Sequence, residues 1–306
     1  MTRDKSKRFG ARTGTSGKAK KTPGAAPRQP ATPAKGWHTN PEPHPVRPGT
    51  SAPSLAPRPA FRRPATNLIV LYGFHAVREA LRARRRKLLD LYATEAAARR
   101  LEGEIASAGL CPHSVTADDL ARRLGASAVH QGVMLEALPL EPLDLSDIVS
   151  QSGIVIVLDQ ITDPHNLGAI LRTAAAFGVD ALVMTERHAP EPAGVAAKAA
   201  SGGLEHVAIV RVVNLARALE ELGDMGYLRL GLDSEAERSL AKVPLRRPLA
   251  LVLGGEGKGL RRLSRENCDF LVRLDMPGAI KSLNVSNACS VALTLLHAGL
   301  AGESTI

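Results

Sequence analysis

The sequence is poor in the residues that staple or anchor a chain. Cysteine occurs three times in 306 residues, at Cys111, Cys268 and Cys289. The three lie far apart, form no CxxC pair and cannot make an even disulfide set, which excludes a zinc ribbon and a disulfide framework. A reducing, cytoplasmic setting fits that usage. No apolar run approaches the roughly 18 uninterrupted residues of a membrane span, so no membrane partner is expected. The N-terminus is basic, but no apolar stretch follows it, which argues against a secretory signal. HExxH is missing and His165, His188 and His297 lack metal-cluster spacing, so no metal is expected. GxSxG is missing too, which removes the nucleophile elbow of serine hydrolases.

Acidic residues are scarce in one place only. Residues 1–65 carry 14 Lys/Arg against Asp4 and Glu42, and 12 of the 21 prolines. The remaining chain carries 26 basic and 28 acidic side chains, so the net charge of +10 belongs to the tail and not to the body. Such a segment buries too little apolar surface to offset its ordering entropy, and residues 1–65 are expected to be disordered. Its charge suits a tether for a polyanion such as nucleic acid. A solubilising extension without a partner accounts for the composition equally well.

Periodicity places order from about Asn67 onward. "NLIVLYG" reads as a strand, "FHAVREALRARRRK" as a helix with Ala76, Val77, Ala80 and Leu81 on one face, and "LLDLYAT" as a second strand. "EAAARRLEGEIASAG" reads as one helix closed by Gly109, "PHSVT" as a brief strand, "ADDLARRLG" as a short helix and "GVMLEAL" as a strand. This predicts a small α/β domain over 66–140, followed by a linker over 141–152 with its prolines just before and within it. A second α/β domain is predicted over 153–306. It opens on the apolar strand "GIVIVLD", continues through "DALVMT", "HVAIVRV", "LRLGLD", "LALVL" and "FLVRLDM", and ends in a helix starting near Val285. Strands alternating with helices imply a mainly parallel sheet covered on both faces, with ligands at the carboxyl ends of its strands.

Three strand ends carry unusual residues. After "VIVLD" comes "QITDPHNLGAILRT", in which Asp163-Pro164 turns the chain, Asn166 stands near a helix start and Arg172 lies inside the helix. Taken alone, Asn166 reads as a cap and Arg172 as a solvated charge. After "LALVL" comes "GGEGKGL", whose four glycines permit close backbone approach to a ligand. Val252 occupies the first glycine position a P-loop needs, and the glycine spacing also fails GxGxxG, so neither common phosphate cradle is present. Glu256 in the middle would repel phosphate. After "LVRLDM" comes "PGAIKSLNVSNA", where Ser282, Asn284, Ser286 and Asn287 crowd the start of the last helix. Ser286 or Asn287 suffices to cap that helix. Ser282, Leu283 and Asn284 come too early for the task and are read as facing a ligand.

"DPHNLGAILRT", "GGEGKGL" and "DMPGAIKSLNVSNA", in this order, resemble the three motifs of the SpoU (TrmH-like) class of SPOUT RNA ribose 2′-O-methyltransferases. The resemblance covers about residues 153–300. "YGFHAVREAL" and "HQGVMLEAL" within 67–140 look like the substrate-binding domain that precedes the catalytic domain in ribosomal members. Within the family, the likeness is to the branch that methylates guanosine in 23S ribosomal RNA. A tRNA guanosine methyltransferase, or a non-catalytic RNA-binding factor on the same scaffold, is the alternative. The resemblance implies a trefoil knot near the C-terminus, S-adenosyl-L-methionine as cofactor and a homodimer with its active sites near the subunit interface. It places Gly254, Leu274 and Leu283 at the cofactor. It places Asn166, Arg172, Glu256, Ser282 and Asn284 in the active site. A guanidinium is effectively always protonated, so Arg172 is expected to clamp the target phosphate and stabilise a developing alkoxide, not to act as a base. The run "RRRK" at 84–87 is read as a phosphate patch or as a solvated helix end.

Overall fold

The computed structural model describes residues 61–62, 67–148, 152–255 and 257–302. The expectation of a disordered tail falls, apart from Phe61 and Arg62, outside the described residues. The described residues form one compact unit.

The first sheet has four strands, β1 (Ile69–Tyr72), β2 (Leu88–Ala93), β3 (His113–Ser114) and β4 (Val133–Ala137), in the order β1-β4-β2-β3. β4 runs antiparallel to β1 and β2, and β3 pairs parallel to β2. Side chains alternate along these strands. Leu91, Ala93, Val133 and Leu135 join the main core, whereas Tyr92 and Met134 pack on the other face with Leu120. Helix α1 (Phe74–Ala83) buries Phe74, Ala76, Val77, Ala80 and Leu81, the stripe expected of an amphipathic helix. It stops before the charge run, because Arg84 adopts a left-handed conformation (φ 49°) and its N–H closes on the Ala80 carbonyl. The single helix expected over 95–109 is two, α2 (Glu95–Arg100) and α3 (Glu102–Ala108). They break at fully buried Leu101, whose N–H is shared between the Ala97 and Ala98 carbonyls. Gly109 closes α3 in the left-handed region, as expected. Helix α4 (Ala117–Leu124) starts with a reciprocal Thr116–Asp119 capping box.

The second sheet, expected to be mainly parallel, is parallel at every pair of its described strands. Its strands are β5 (Ile154–Asp159), β6 (Ala181–Thr185), β7 (Ala208–Val212), β8 (Leu228–Leu232), β9 (Arg238–Ser239), β10 (Leu249–Gly254) and β11 (Phe270–Arg273), in the order β7-β6-β5-β10-β8-β11-β9. The helices are α5 (Pro164–Ala176), α6 (Gly194–Ala200), α7 (Leu215–Asp224), α8 (Arg262–Glu266) and α9 (Val285–Gly302). β5 is buried along its whole length, which explains its unbroken apolar run. Ile154, Ile156 and Leu158 face α5 and α9, while Val155 and Val157 face Leu215, Leu219 and Leu222 of α7. Gly168 of α5 has no room for a side chain. A Cβ there would sit 2.4 Å from the Ala199 Cβ and 2.5 Å from the Ala196 carbonyl oxygen of α6.

The two sheets share one core, which runs from Leu71 and Val77 through Ala196, Ala200 and Leu204 to Ile170. A buried ion pair lies on that seam. Arg86 Nη2 is 2.7 Å from Glu205 Oε1, and the two side chains are 2% and 1% exposed. Arg85 donates to the Glu205 carbonyl at 3.2 Å, and Arg84 donates to the backbone and hydroxyl of Ser107. Arg86 of the "RRRK" run is therefore committed to holding the protein together, whereas Arg84, Arg85 and Lys87 remain exposed at the helix end. The physical cause is Glu205. A carboxylate buried this deeply needs a charged partner.

Candidate active site

The register of the parallel sheet sets Gly254 of β10 directly beside Asp159 of β5, so the first two motifs leave the sheet side by side. Asp159 is fully buried. It accepts from Arg261 Nε at 2.6 Å and from the Arg261 backbone N–H at 2.9 Å, which pins the far end of the glycine loop to the end of β5. The next residue, Gln160, takes a left-handed conformation (φ 61°). A Cβ on Gly255 would lie 2.5 Å from the Gln160 carbonyl oxygen, so the loop can seat there only as glycine. The loop folds back on itself, with the Gly259 N–H donating to the Gly255 carbonyl at 2.9 Å. Glu256 lies outside the described residues.

The first motif starts α5 differently from the simple sequence reading. Asp163, not Asn166, is the cap. Its carboxylate accepts from the His165 N–H at 2.9 Å, and Pro164 takes the first helical position. Asn166 is thus inside the helix and 8% exposed. Its Oδ1 accepts from Asn284 Nδ2 of the third motif at 3.0 Å. The Asn284 Oδ1 in turn accepts from the Ser286 N–H at 2.9 Å and the Ser286 hydroxyl at 2.6 Å, and the Asn284 carbonyl accepts from the Ala288 N–H. Asn284 therefore caps α9. This overturns the expectation that it comes too early and that Ser286 or Asn287 caps. One amide serves both purposes, because its oxygen accepts while its nitrogen donates.

Two cavities flank Val285. The first, of about 320 Å³, is lined by Leu253, Gly254, Gly255, Leu274, Met276, Ser282 and Leu283, with Asp233 and Ser234 at its side. It holds all three residues expected at the cofactor, together with Ser282. The second, of about 230 Å³, is lined by Gln160, Ile161, Thr162, Asp163, Asn166 and Lys258. Motif residues that are more than a hundred positions apart in sequence thus converge on two adjoining spaces. Arg172 lines neither. Six residues beyond Asn166 it is turned by about 240° around the helix and carried roughly 9 Å along it. It is exposed and has no hydrogen-bond or ion-pair partner among the described residues.

The sequence reading did not single out Lys258 and Asp233. Lys258 stands inside the glycine motif and could have been flagged as its cation. Asp233, which pairs with Arg265, follows an ordinary strand and gave no signal. The thiols offer no nucleophile. Burial pushes Cys268 and Cys289 up to about 12, so both stay protonated near neutrality. Among the described residues no cluster of three or more metal-ligating side chains occurs, and no helix is long and apolar enough to cross a membrane.

A parallel sheet with three motif loops meeting at the ends of β5, β10 and β11 defines a class, and comparison with known proteins identifies it. Residues 153–294 match the SpoU rRNA Methylase family, and residues 70–143 match the RNA 2′-O ribose methyltransferase substrate-binding family. The chain belongs to the SpoU family. Among curated relatives it is 39% identical over 233 residues to the 23S rRNA (guanosine-2′-O-)-methyltransferase RlmB of Pseudomonas putida, covering 73% of this chain and 93% of that protein. It is 45% identical over 176 residues to the RlmB of Xylella fastidiosa, covering 56% of this chain and 71% of that protein. Among solved structures, the SpoU methyltransferase AviRb from Streptomyces viridochromogenes, in complex with AdoMet, shares the fold. Its TM-score is 0.66 at 21% identity, over 77% of this chain and 92% of that one.

Proposed function

We propose that this protein uses S-adenosyl-L-methionine to methylate the ribose 2′-hydroxyl of a guanosine in 23S ribosomal RNA. One observation carries the reading. The first cavity, with its glycines and apolar walls, shares Val285 with the second, and the Asn166–Asn284 bond ties a wall of the second to the residue just before Val285. The cofactor fits the first cavity. Its adenine and methionine can lie against Leu274, Met276 and Leu283, and the bare backbone of Gly254 and Gly255 allows close approach. When bound, it supplies a sulfonium methyl. Asn166 and Ser282 would orient the ribose at the junction, where positioning supplies much of the rate. Glu256 would act in the same site. Lys258 would meet the negative charge of the RNA backbone.

Arg172 would clamp the target phosphate and stabilise the developing alkoxide. Its exposed position suits a homodimer in which a second copy brings this side chain to the site. The knot belongs to the same reading. Leu274, Met276, Ser282 and Leu283, from the segment between β11 and α9, line the first cavity together with the glycine loop, an arrangement that suits such a knot. Residues 66–140 would bind the RNA, 141–152 would link, 153–306 would catalyse, and the tail 1–65 would add non-specific affinity. Three cysteines without a disulfide suit a cytoplasmic enzyme.

The test is transfer of labelled methyl to ribosomal RNA, followed by mapping of the modified nucleotide. Incorporation at a guanosine 2′-oxygen in 23S RNA is the expected result. Incorporation into tRNA alone moves the substrate, and no incorporation into either overturns the proposal.

A further inference from the structure

One cluster of aromatic and charged side chains serves neither the active site nor the seam between the sheets. It lies on the face of the first sheet opposite α1, where Asp90 pairs with Glu136 and Tyr92 with Met134 across β2 and β4. Phe61, from the end of the basic tail, is seated there. Its ring lies 4.8 Å from the Tyr92 ring, tilted by 50° against it, and 6.0 Å from the Arg123 guanidinium. His113 stacks on Tyr92 at 4.9 Å and 24°. Phe61 therefore occupies a slot walled by an aromatic ring and a guanidinium plane.

The edge of the slot is acidic. Arg62 Nε donates to Asp90 at 2.5 Å and lies 4.0 Å from Glu136. Glu136 is completely buried, yet the distances to Tyr92 Oη and Arg123 Nη2 are both 3.4 Å. The Arg123 Nε is buried with no hydrogen-bond partner among the described residues. Buried charges normally have closer partners. The Arg62 side chain is half exposed, while its carbonyl accepts from Arg123 Nη2 at 3.2 Å, so water or a ligand donor can replace its guanidinium at Asp90 more readily than its backbone contact.

An unstacked base held by a protein stacks on aromatic rings or arginine planes, and its edge is read by hydrogen bonds. Guanine differs from the other bases in its N1–H and N2–H₂ groups, which form a guanidine-like donor edge that a carboxylate accepts. Phe61 supplies the ring and Arg62 supplies the guanidinium edge. Together they present what a guanine would present. We infer that the Tyr92–Arg123 slot binds an unstacked guanine of the substrate RNA through Asp90 and Glu136, and that Phe61–Arg62 occupies it in competition.

This rests on the reading that residues 66–140 bind RNA. The test measures binding of oligouridines carrying one central guanosine, inosine or adenosine to the full chain and to its Phe61→Ala/Arg62→Ala variant. Removing the competitor should tighten guanosine binding about fivefold or more, as expected for a stacked base. Adenosine should barely change, and inosine, which lacks the N2 amine, should fall between. Asp90→Asn added to the double variant should erase the guanosine advantage. If that variant does not fold, the inosine comparison on the double variant asks the same question. Unchanged guanosine binding, or an equal change for all three bases, overturns the inference. Methyl transfer to ribosomal RNA, assayed in parallel, separates this failure from failure of the proposed activity. A wild-type chain that methylates while the slot shows no base preference loses the slot alone.

Discussion

The arginines at 84–86 and Arg172 contrast in sequence and again in the fold. The run at 84–86 offers three adjacent guanidinium groups, and all three are spent on Ser107, the Glu205 backbone and the Glu205 carboxylate. Arg172 is a single arginine among alanines and leucines, and it stands exposed without a partner among the described residues. Density of charge marked the structural site, and isolation marked the candidate functional one. An arginine that nothing among the described residues holds is available to a partner outside them.

The comparison can be broken most forcefully at Glu205. Glu205→Ala strands Arg86 in the seam between the sheets. It should cost about 3–5 kcal/mol of stability in chemical denaturation, as loss of one partner from a buried pair does. A loss below about 1 kcal/mol would remove the run from its structural role. Arg172→Ala should lower turnover by about 10²–10³-fold, the range for removing one transition-state donor, with stability and cofactor affinity near wild type. Arg172→Lys should recover little, because a point charge cannot replace a planar fork.

Asn284 sharpens the contrast further. Asn284→Ala removes the cap of α9 and should cost about 1 kcal/mol of stability along with turnover. Asn284→Asp keeps the accepting oxygen, and its charge suits a helix N-terminus, but it places an oxygen against Asn166 Oδ1. It should hold stability near wild type and still lose turnover. Equal losses of stability in the two variants would mean that the link to Asn166 has no separate role. The smallest effect belongs to the run itself. Neutralising Arg84 and Arg85 should leave the slope of RNA affinity against salt changed by less than about one, the value of a single phosphate contact.

Much of this was legible in the sequence. The apolar run of β5 and the stripe of α1 are patterns that burial imposes directly. The three motif loops follow strands, which is where a parallel sheet places ligand sites. What escaped detection depends on distant partners. The charge run stops α1 early because Arg86 must reach Glu205, more than a hundred residues away. The break at Leu101 serves a buried side chain in an otherwise good helical sequence. Helix α6 is short and four of its seven residues are alanine, so it has little apolar stripe to detect, although Gly168 of α5 leaves room for its close approach. The double use of Asn284 was hidden for a related reason. A cap can be read locally, but the second bond of the same amide goes to another motif.

That shared amide makes the first turn of α9 a reporter. The Ser286 N–H is held by the Asn284 oxygen, while the Asn284 nitrogen holds Asn166. Fraying of the helix end and separation of the two motif loops are therefore coupled through one side chain. Hydrogen exchange at the Ser286 amide would follow the opening of the candidate site without any substrate, from a position that takes no part in the chemistry.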